Sequence, residues 1–428
     1  MERIINPKRE DWSEILKRPT QSVEDIEATV TEIFKDVEQN GDFAIGKYTS
    51  IFDGVELKDY LICEEEIKIA EKNIAKELKL AIKEAQENIR AFHEAQRTER
   101  VEVETTKGVI CWQEKRPIES IGLYIPGGKA PLFSTVLMLA VPANIAGCEE
   151  IILCTPPNKK GKVANEILYT AKLCGISKIY KVGGIQAIAG MTFGTESIPQ
   201  VSKIFGPGNQ FVTVAKQLAT KYGIAIDMPA GPSELLIVAD DDANASYVAS
   251  DLLSQAEHGA DSQVILVSTS INIIEAVGNE INKQLAVLPR KEIAKKSIST
   301  SKMIYVESNE IALDLINLYG PEHFIICCEN ENFYVNNIIN AGSVFIGNYS
   351  PESAGDYASG TNHTLPTNGF AKAYSGVNLD SFQKSITFQK ISKEGLQNIG
   401  KTIELMAEAE GLQAHKNAVS IRLKDLQS

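Results

Sequence analysis

Between positions 21 and 97 apolar residues recur at steps of three, four or seven. Ile67, Ile74, Leu78, Ile82, Ala85, Ile89 and Phe92 form one stripe on a Lys/Glu-rich background. That period predicts amphipathic helix. A different texture follows. Short apolar runs at 121–125, 151–154, 178–182 and 203–205 read as strands, and helical patterns at 162–174, 185–193 and 210–221 lie among them. The texture then repeats, with strands at 235–238, 264–267, 303–306, 324–327 and 344–346 and helices at 243–256, 271–286 and 308–319. Alternating strand and helix with short connections predicts parallel sheets wrapped by helices, here two α/β units in tandem. No residue-level repeat relates them. From about 393 the pattern is helical again, in a tail carrying Glu410 and His415.

The longest apolar stretch, 132–148, is interrupted by Ser134, Thr135, Pro142 and Asn144, and is too short to span a bilayer. It predicts a buried helix. The 428 residues supply two or three domains with an ample core. A net charge of −13 argues against nucleic acid and anionic membrane as partners, since both require a basic face. Seven cysteines form no CxxC pair and sit mostly in apolar runs, which reads as buried, reduced thiols of a cytosolic protein. The first residues lack the apolar core of a signal peptide, so the expected compartment is the cytoplasm.

Histidine is scarce, and its placement carries the candidate chemistry. Four of the five, His258, His323, His363 and His415, fall in the second half close to carboxylates, amides or glycines. The fifth, His93, ends a charged helical stretch and is expected at the surface. Gln255 and His258 stand three apart on one helix face, and Asp356 lies in a glycine-rich loop. Nitrogen and oxygen donors of this kind suit zinc, manganese or cobalt. His258 beside Gly259 is equally read as a C-terminal cap, and no HExxH spacing occurs. Glu322-His323 follows the helix-ending Gly320-Pro321 and precedes a buried strand, with the two side chains expected to face different ways. Two titratable groups at that point suit two proton transfers on one substrate, or a rim ion pair. Cys327 and Cys328 read as strand core. Asp240-Asp241-Asp242 reads as a helix N-cap and solvated turn rather than a metal site. Three glycine turns, Pro126-Gly127-Gly128-Lys129, Gly183-Gly184 and Gly206-Pro207-Gly208-Asn209, end predicted strands, where open α/β sheets take cofactors. None is GxGxxG, so a nucleotide would be held unlike the usual Rossmann mode.

Taken together, Tyr124-Ile125-Pro126-Gly127-Gly128, Phe193-Gly194-Thr195-Glu196-Ser197, Ile204-Phe205-Gly206-Pro207-Gly208-Asn209, Ala230-Gly231-Pro232-Ser233-Glu234, Ser254-Gln255-Ala256-Glu257-His258-Gly259, Gly320-Pro321-Glu322-His323 and Gly360-Thr361-Asn362-His363 closely resemble the histidinol dehydrogenase family over nearly the whole chain. The resemblance implies two Rossmann-like parallel-sheet units with helical N- and C-terminal extensions, an aldehyde-dehydrogenase-like α/β architecture. It divides the chain into 1–21 packing with the C-terminal tail, 22–129 with 235–378 as a metal and catalytic domain, 130–234 as the NAD side, and 379–428 as a helical dimerisation tail. It implies oxidation of L-histidinol through the aldehyde to L-histidine with two NAD+. The implied zinc ligands are Gln255, His258, Asp356 and His415. His323 would take the alcohol proton and Glu322 would activate the hydrating water. Ser233, His363 and Glu410, beside the ligands and His323, would contact substrate, and Tyr124, Gln186 and Asn209 would line the NAD site. The implied assembly is a homodimer whose tail completes the partner's active site. Two other readings stay open on the residues alone. A zinc hydrolase would leave the glycine turns without a purpose, and a binding protein of two lobes would make Glu322-His323 incidental. A thioester-forming aldehyde dehydrogenase needs an accessible activated thiolate, and no cysteine is so placed.

Overall fold

The computed structural model describes residues 1–19, 23–127, 131–229 and 231–427. Gln21, Gly128, Lys129 and Ala230, named above, lie outside the described residues. In chain order the strands are β1 (Glu2–Ile5), β2 (Val101–Thr106), β3 (Val109–Pro117), β4 (Ser120–Tyr124) and β5 (Glu150–Cys154). Next come β6 (Lys178–Tyr180), β7 (Lys203–Phe205), β8 (Ala225–Ile226), β9 (Glu234–Ala239) and β10 (Gln263–Ser268). The last are β11 (Lys302–Tyr305), β12 (His323–Cys327), β13 (Ser343–Ile346) and β14 (Gln383–Ile391).

The chain falls into two compact units, Met1–Ala95 with Ile118–Ser381, and Gln96–Pro117 with Phe382–Ser428. The first holds the two parallel sheets expected from the alternating texture. One has the order β6-β5-β4-β7-β8 and the other β1-β11-β10-β9-β12-β13. With β1 set aside, both read three-two-one-four-five in order of appearance, the nucleotide-binding arrangement in which the sheet reverses direction beside its first strand. Strands buried on both faces are continuously apolar rather than alternating. All six residues of β9 and all six of β10 are buried accordingly.

The helices of 22–94, grouped above with 235–378, pack instead on the five-stranded sheet. Ile26, Val30, Phe34 and Tyr48 share a core with Ile152, Val182, Ile188 and Ile204. Helices Glu64–Asn73 and Lys76–Glu94 pack against Asn165–Leu173 and Phe133–Ala146. The apolar stripe is there, but Phe92, counted in it, is exposed. The stretch at 132–148 is the buried helix Phe133–Ala146. Among the described residues no helix is long and apolar enough to cross a membrane. The Phe193–Ser197 motif has an architectural use: Ser197 N donates to Asp42 Oδ1 at 3.3 Å, beside the helix kink at Gly41. At the N-terminus, β1 adds a parallel strand to the six-stranded sheet beside β11.

The second unit was only half legible. Its tail is helical from Lys393–Ala409 through Gln413–Asp425, but β14 precedes it and pairs antiparallel with β3, which pairs with β2. Trp112 stacks on Phe388 with ring centroids 5.2 Å apart. The alternation of Val101 and Val103 with Glu102 and Glu104 was the available signal.

Candidate active site

Glu322 and His323, the candidate acid–base residues, stand at the amino-terminal edge of the six-stranded sheet, where β9 and β12 lie side by side. His323 opens β12, with Glu322 immediately before it, and both are buried. Neighbouring β9 fixes the pair through its backbone. Glu234 N donates to Glu322 Oε2 at 2.8 Å, and Glu234 O faces His323 Nδ1 at 3.2 Å. Glu322 and His323 therefore do not face different ways. Their side chains converge, 3.6 Å apart, on one cavity of about 340 Å3. Nor are they a rim pair, since the strand pairing that positions them also draws them inside. Glu234 is itself anchored: Arg18 donates to both its carboxylate oxygens, at 2.5 and 2.8 Å, and Asn368 N donates at 2.7 Å.

Two further elements close the cluster. Asp356, expected in a loop, lies on the short helix Glu352–Tyr357, with Glu352 one turn earlier on the same face. His323 Nε2 is 3.7 Å from Asp356 Oδ1, and Nδ1 is 3.8 Å from Glu352 Oε1. Gln255 lies in the last turn of helix Ala245–Ala256, and His258 follows in the turn. The hydrogen-bond network orients the Gln255 amide with its nitrogen toward Glu352 Oε1 and His258 Nδ1, the latter at 3.3 Å, and its oxygen toward Glu234 N at 3.0 Å. His363 faces Asp356 O through Nδ1 at 2.9 Å and Thr135 Oγ1 through Nε2 at 3.1 Å. Ser233, His258, Glu322, His323, Asp356 and His363 all line the same cavity.

The electrostatics follow from crowding three carboxylates around one imidazole. Burial opposes a charge on His323, but Glu352, Glu322 and Asp356 override it and hold its pKa well above the ordinary histidine value. Burial pushes the Glu352 carboxyl well up. Burial also acts to raise Asp356, yet the surrounding His323, His363 and His258 bring it below the usual range. Burial lowers His363. His323, Glu352 and Asp356 present ligand atoms within 4.8 Å of one another, a grouping that could hold a metal ion. It shares only Asp356 with the ligand set expected from the sequence. Gln255 and His258 adjoin it through Glu352, whereas His415 belongs to the second unit, where both it and Glu410 are exposed.

The second cavity, about 850 Å3, lies at the carboxyl edge of the five-stranded sheet, where β4 and β7 part. Tyr124, Gln186 and Asn209, from the carboxyl ends of β4, β6 and β7, line it together with Gly127 and Gly184. Glycine is required here for close approach: a Cβ on Gly127 or Gly183 would come within 2.1 or 2.3 Å of Pro156. Tyr124 Oη accepts from Gly184 N at 3.1 Å, and burial pushes the phenol up to about 12. Asn209 caps helix Gln210–Lys221. Both polar atoms of the Gln186 amide are buried without a protein partner, as is Asp53 Oδ2. Such atoms are rare in folded proteins and leave these side chains with polar capacity to meet a ligand or water. The two cavities share Pro126 and Gly127 in their walls.

Several expectations need correction. His93 is buried, not solvated: Nδ1 faces Ile89 O at 2.8 Å and Nε2 faces Asn362 Nδ2 at 3.3 Å. The triple aspartate forms a turn, Asp240 accepting from Asp242 N and Glu329 N, but the following helix is capped by Asn244. Cys63 is exposed, and the buried Cys327 thiol is pushed up to about 12 by desolvation, as core residues are. Sequence reasoning missed Glu352, Arg18, Glu234 as an anchor, Thr135 and the cavity-lining Arg290. Glu352 alone had a visible signal, its one-turn spacing from Asp356.

Comparison with known proteins places this geometry. A family profile described as histidinol dehydrogenase matches residues 16–423. A histidinol dehydrogenase of Bacteroides fragilis is 57% identical over 426 residues, covering 100% of both chains. One of Haemophilus influenzae is 51% identical over 413 residues, 96% of each. The crystal structure of a histidinol dehydrogenase from Elizabethkingia anophelis superposes with a TM-score of 0.98 at 56% identity, over 100% of this chain and 99% of that one. The chain belongs to the histidinol dehydrogenase family.

Proposed function

We propose that this oxidoreductase of histidine biosynthesis converts L-histidinol through L-histidinal to L-histidine, with zinc as its resident metal and two NAD+ consumed in succession. One observation carries the reading. Two proton-transfer residues, Glu322 and His323, line a cavity that shares a wall with a second cavity built on glycine turns. A single-step alcohol oxidation needs one base, and a second stage through a hydrated aldehyde needs another.

The residues fit both groups. Amide, imidazole and carboxylate donors suit zinc without any thiolate. Gln255, His258 and Asp356 would hold it, with His415 supplied by a second copy of the chain. This assignment keeps His323 free as a base, unlike the compact His323–Glu352–Asp356 grouping. The unpartnered Gln186 amide, with Tyr124 and Asn209, fits the polar edge of a nicotinamide dinucleotide. When bound, zinc would supply a cation that positions the substrate, and NAD+ would supply the hydride acceptor.

The chain's own residues do the rest. His323 Nδ1 is directed at Glu234 O, and a cation bound among the carboxylates that raise its pKa would offset their pull, leaving Nε2 unprotonated to receive the alcohol proton. Glu322 takes a proton from the water that adds to the aldehyde. Ser233 and His363 contact the substrate within the cavity, and Glu410 would do so from the partner's tail. The protein acts as a cytoplasmic homodimer, each tail completing the neighbouring site. Counting NADH against histidinol tests the chemistry: two per substrate, with no free aldehyde, is expected, and one would overturn it. Mixing Glu322→Gln with His415→Ala subunits tests the tail. Exchange restores one intact site per heterodimer, whereas tails held in cis leave the mixture inactive.

A further inference from the structure

Behind Glu322 the substrate cavity adjoins a smaller one of about 90 Å3. Pro207, Gly208, Ser233, Glu322 and His363 line both, so the Glu322 side chain stands in a common wall. The small cavity also meets Thr364, Thr367 and the buried ion pair Lys216–Asp227, whose side chains are only 3% and 1% exposed. Its volume gives room for on the order of three water molecules.

Three observations give it a polar purpose. Thr364 Oγ1 is buried and has no protein partner. The backbone of Thr364 is fully engaged, its N–H with Asn362 Oδ1 at 3.0 Å and its carbonyl with Val377 N at 2.9 Å, so only the hydroxyl seeks one. Lys216 Nζ donates to Gly206 O at 2.7 Å and pairs with Asp227, which leaves one of three ammonium donors for another acceptor. A buried ion pair costs less when such capacity is satisfied. Glu322 meets Glu234 N through Oε2, leaving Oε1 for a second partner.

We propose that this small cavity is the water store for the aldehyde stage, delivering the attacking water to Glu322 from inside the protein. The proposal rests on Glu322 as the hydrating base. Substrate and cofactor bound together would occupy the main cavity and its neighbour, and an aldehyde held there must meet water without escaping. In the step itself, water oxygen bonds to the aldehyde carbon and the carbonyl π pair moves to its oxygen. Glu322 takes one water proton, and the new alkoxide takes the proton that His323 received from the alcohol. Hydration is redox-neutral and needs no further reactant.

Thr364→Val keeps the shape and removes the unpartnered hydroxyl. Oxidation of added histidinal should slow roughly three- to tenfold, the scale of one lost hydrogen bond, while the first NADH from histidinol in a single turnover stays within about twofold. Thr364→Ser should restore the aldehyde stage. A crystal structure showing ordered water between Thr364 Oγ1 and Lys216 Nζ is expected. A dry cavity, or Thr364→Val slowing both stages equally or neither, overturns the store. Glu322→Gln separates the two ideas. If it spares the aldehyde stage the base assignment falls, and if it blocks that stage while Thr364→Val does not, only the store falls.

Discussion

The two parallel sheets share a strand order and use opposite edges. In the five-stranded sheet the cavity lies beyond the carboxyl ends of β4, β6 and β7, where the order reverses and where ligands of open α/β sheets are expected. In the six-stranded sheet the loops at the same edge are tied to one another by hydrogen bonds. Asp240 accepts from Glu329 N, Ser268 donates to Ala239 O, and Asn348 bonds across to Asp242 and Asn244. Its cavity and its cluster of titratable side chains sit instead at the amino ends of β9 and β12, reached by a helix that runs back and delivers Gln255 and His258. The edges also differ in kind. One is a surface of glycine turns and mostly uncharged side chains, with Asp53 and Lys159 in its wall, whereas the other is a knot of carboxylates and imidazoles that reset one another's protonation. A shared topology fixes where strands end, and not which end does the work.

The largest effects should come from the charged edge. His323→Asn should cut the alcohol stage by on the order of 10²–10⁴, with cofactor binding little changed. Glu322→Gln should strike the aldehyde stage hardest. Single-turnover NADH formation separates the stages, and equal losses in both from both variants would mean that the two bases are not divided as the geometry suggests.

Next in size is Glu352→Gln. Its carboxylate bridges the Gln255 amide and His323, so it positions a proposed ligand and a base at once. Metal affinity should fall roughly 10- to 100-fold, read by metal analysis after dialysis. A metal content unchanged in Glu352→Gln, with activity lost, would confine Glu352 to His323. At the glycine-turn edge, Gln186→Ala should raise the KM for NAD+ about tenfold and spare metal content and kcat. A fall in metal content would show that the two edges are one coupled site.

How much of this was legible follows the same division. Strand and helix alternation, the buried helix Phe133–Ala146 and the glycine turns were readable, because local period and backbone requirement are written in consecutive residues. The histidine scarcity marked His258, His323 and His363 correctly as neighbours of carboxylates. What failed depended on pairing between distant strands. Glu322 and His323 converge because Glu234, some ninety residues earlier, offers its N–H and C=O to them. Arg18 reaches Glu234 across 216 positions. The antiparallel β14–β3 pairing joins segments that are far apart in sequence, and neither one alone announces its partner.

The smallest expected effect separates both edges from the frame that holds them, and it concerns His93. Its imidazole lies buried between Ile89 O and the Asn362 amide, whose nitrogen also donates to Met138 O at 2.6 Å. Asn362 directly precedes His363, so His93 supports the charged edge from a helix packed beside the other sheet. With Nδ1–H donating to Ile89 O, Nε2 must accept from Asn362, which a protonated ring would not do. Burial lowers the folded-state pKa accordingly. The sign is then fixed: between the folded and unfolded values the unfolded chain binds more protons, so this histidine's stabilisation is present above about 6.5 and is lost as pH falls through the depressed folded value. His93→Ala should therefore lower stability by about 1–3 kcal/mol at pH 8, and by less at pH 5, while metal content and the KM for NAD+ hold. Thermal melts of both proteins at the two pH values measure this. A deficit that widens on acidification would mean that His93 is charged in the folded protein, and that the neutral link drawn here between the frame and His363 is wrong.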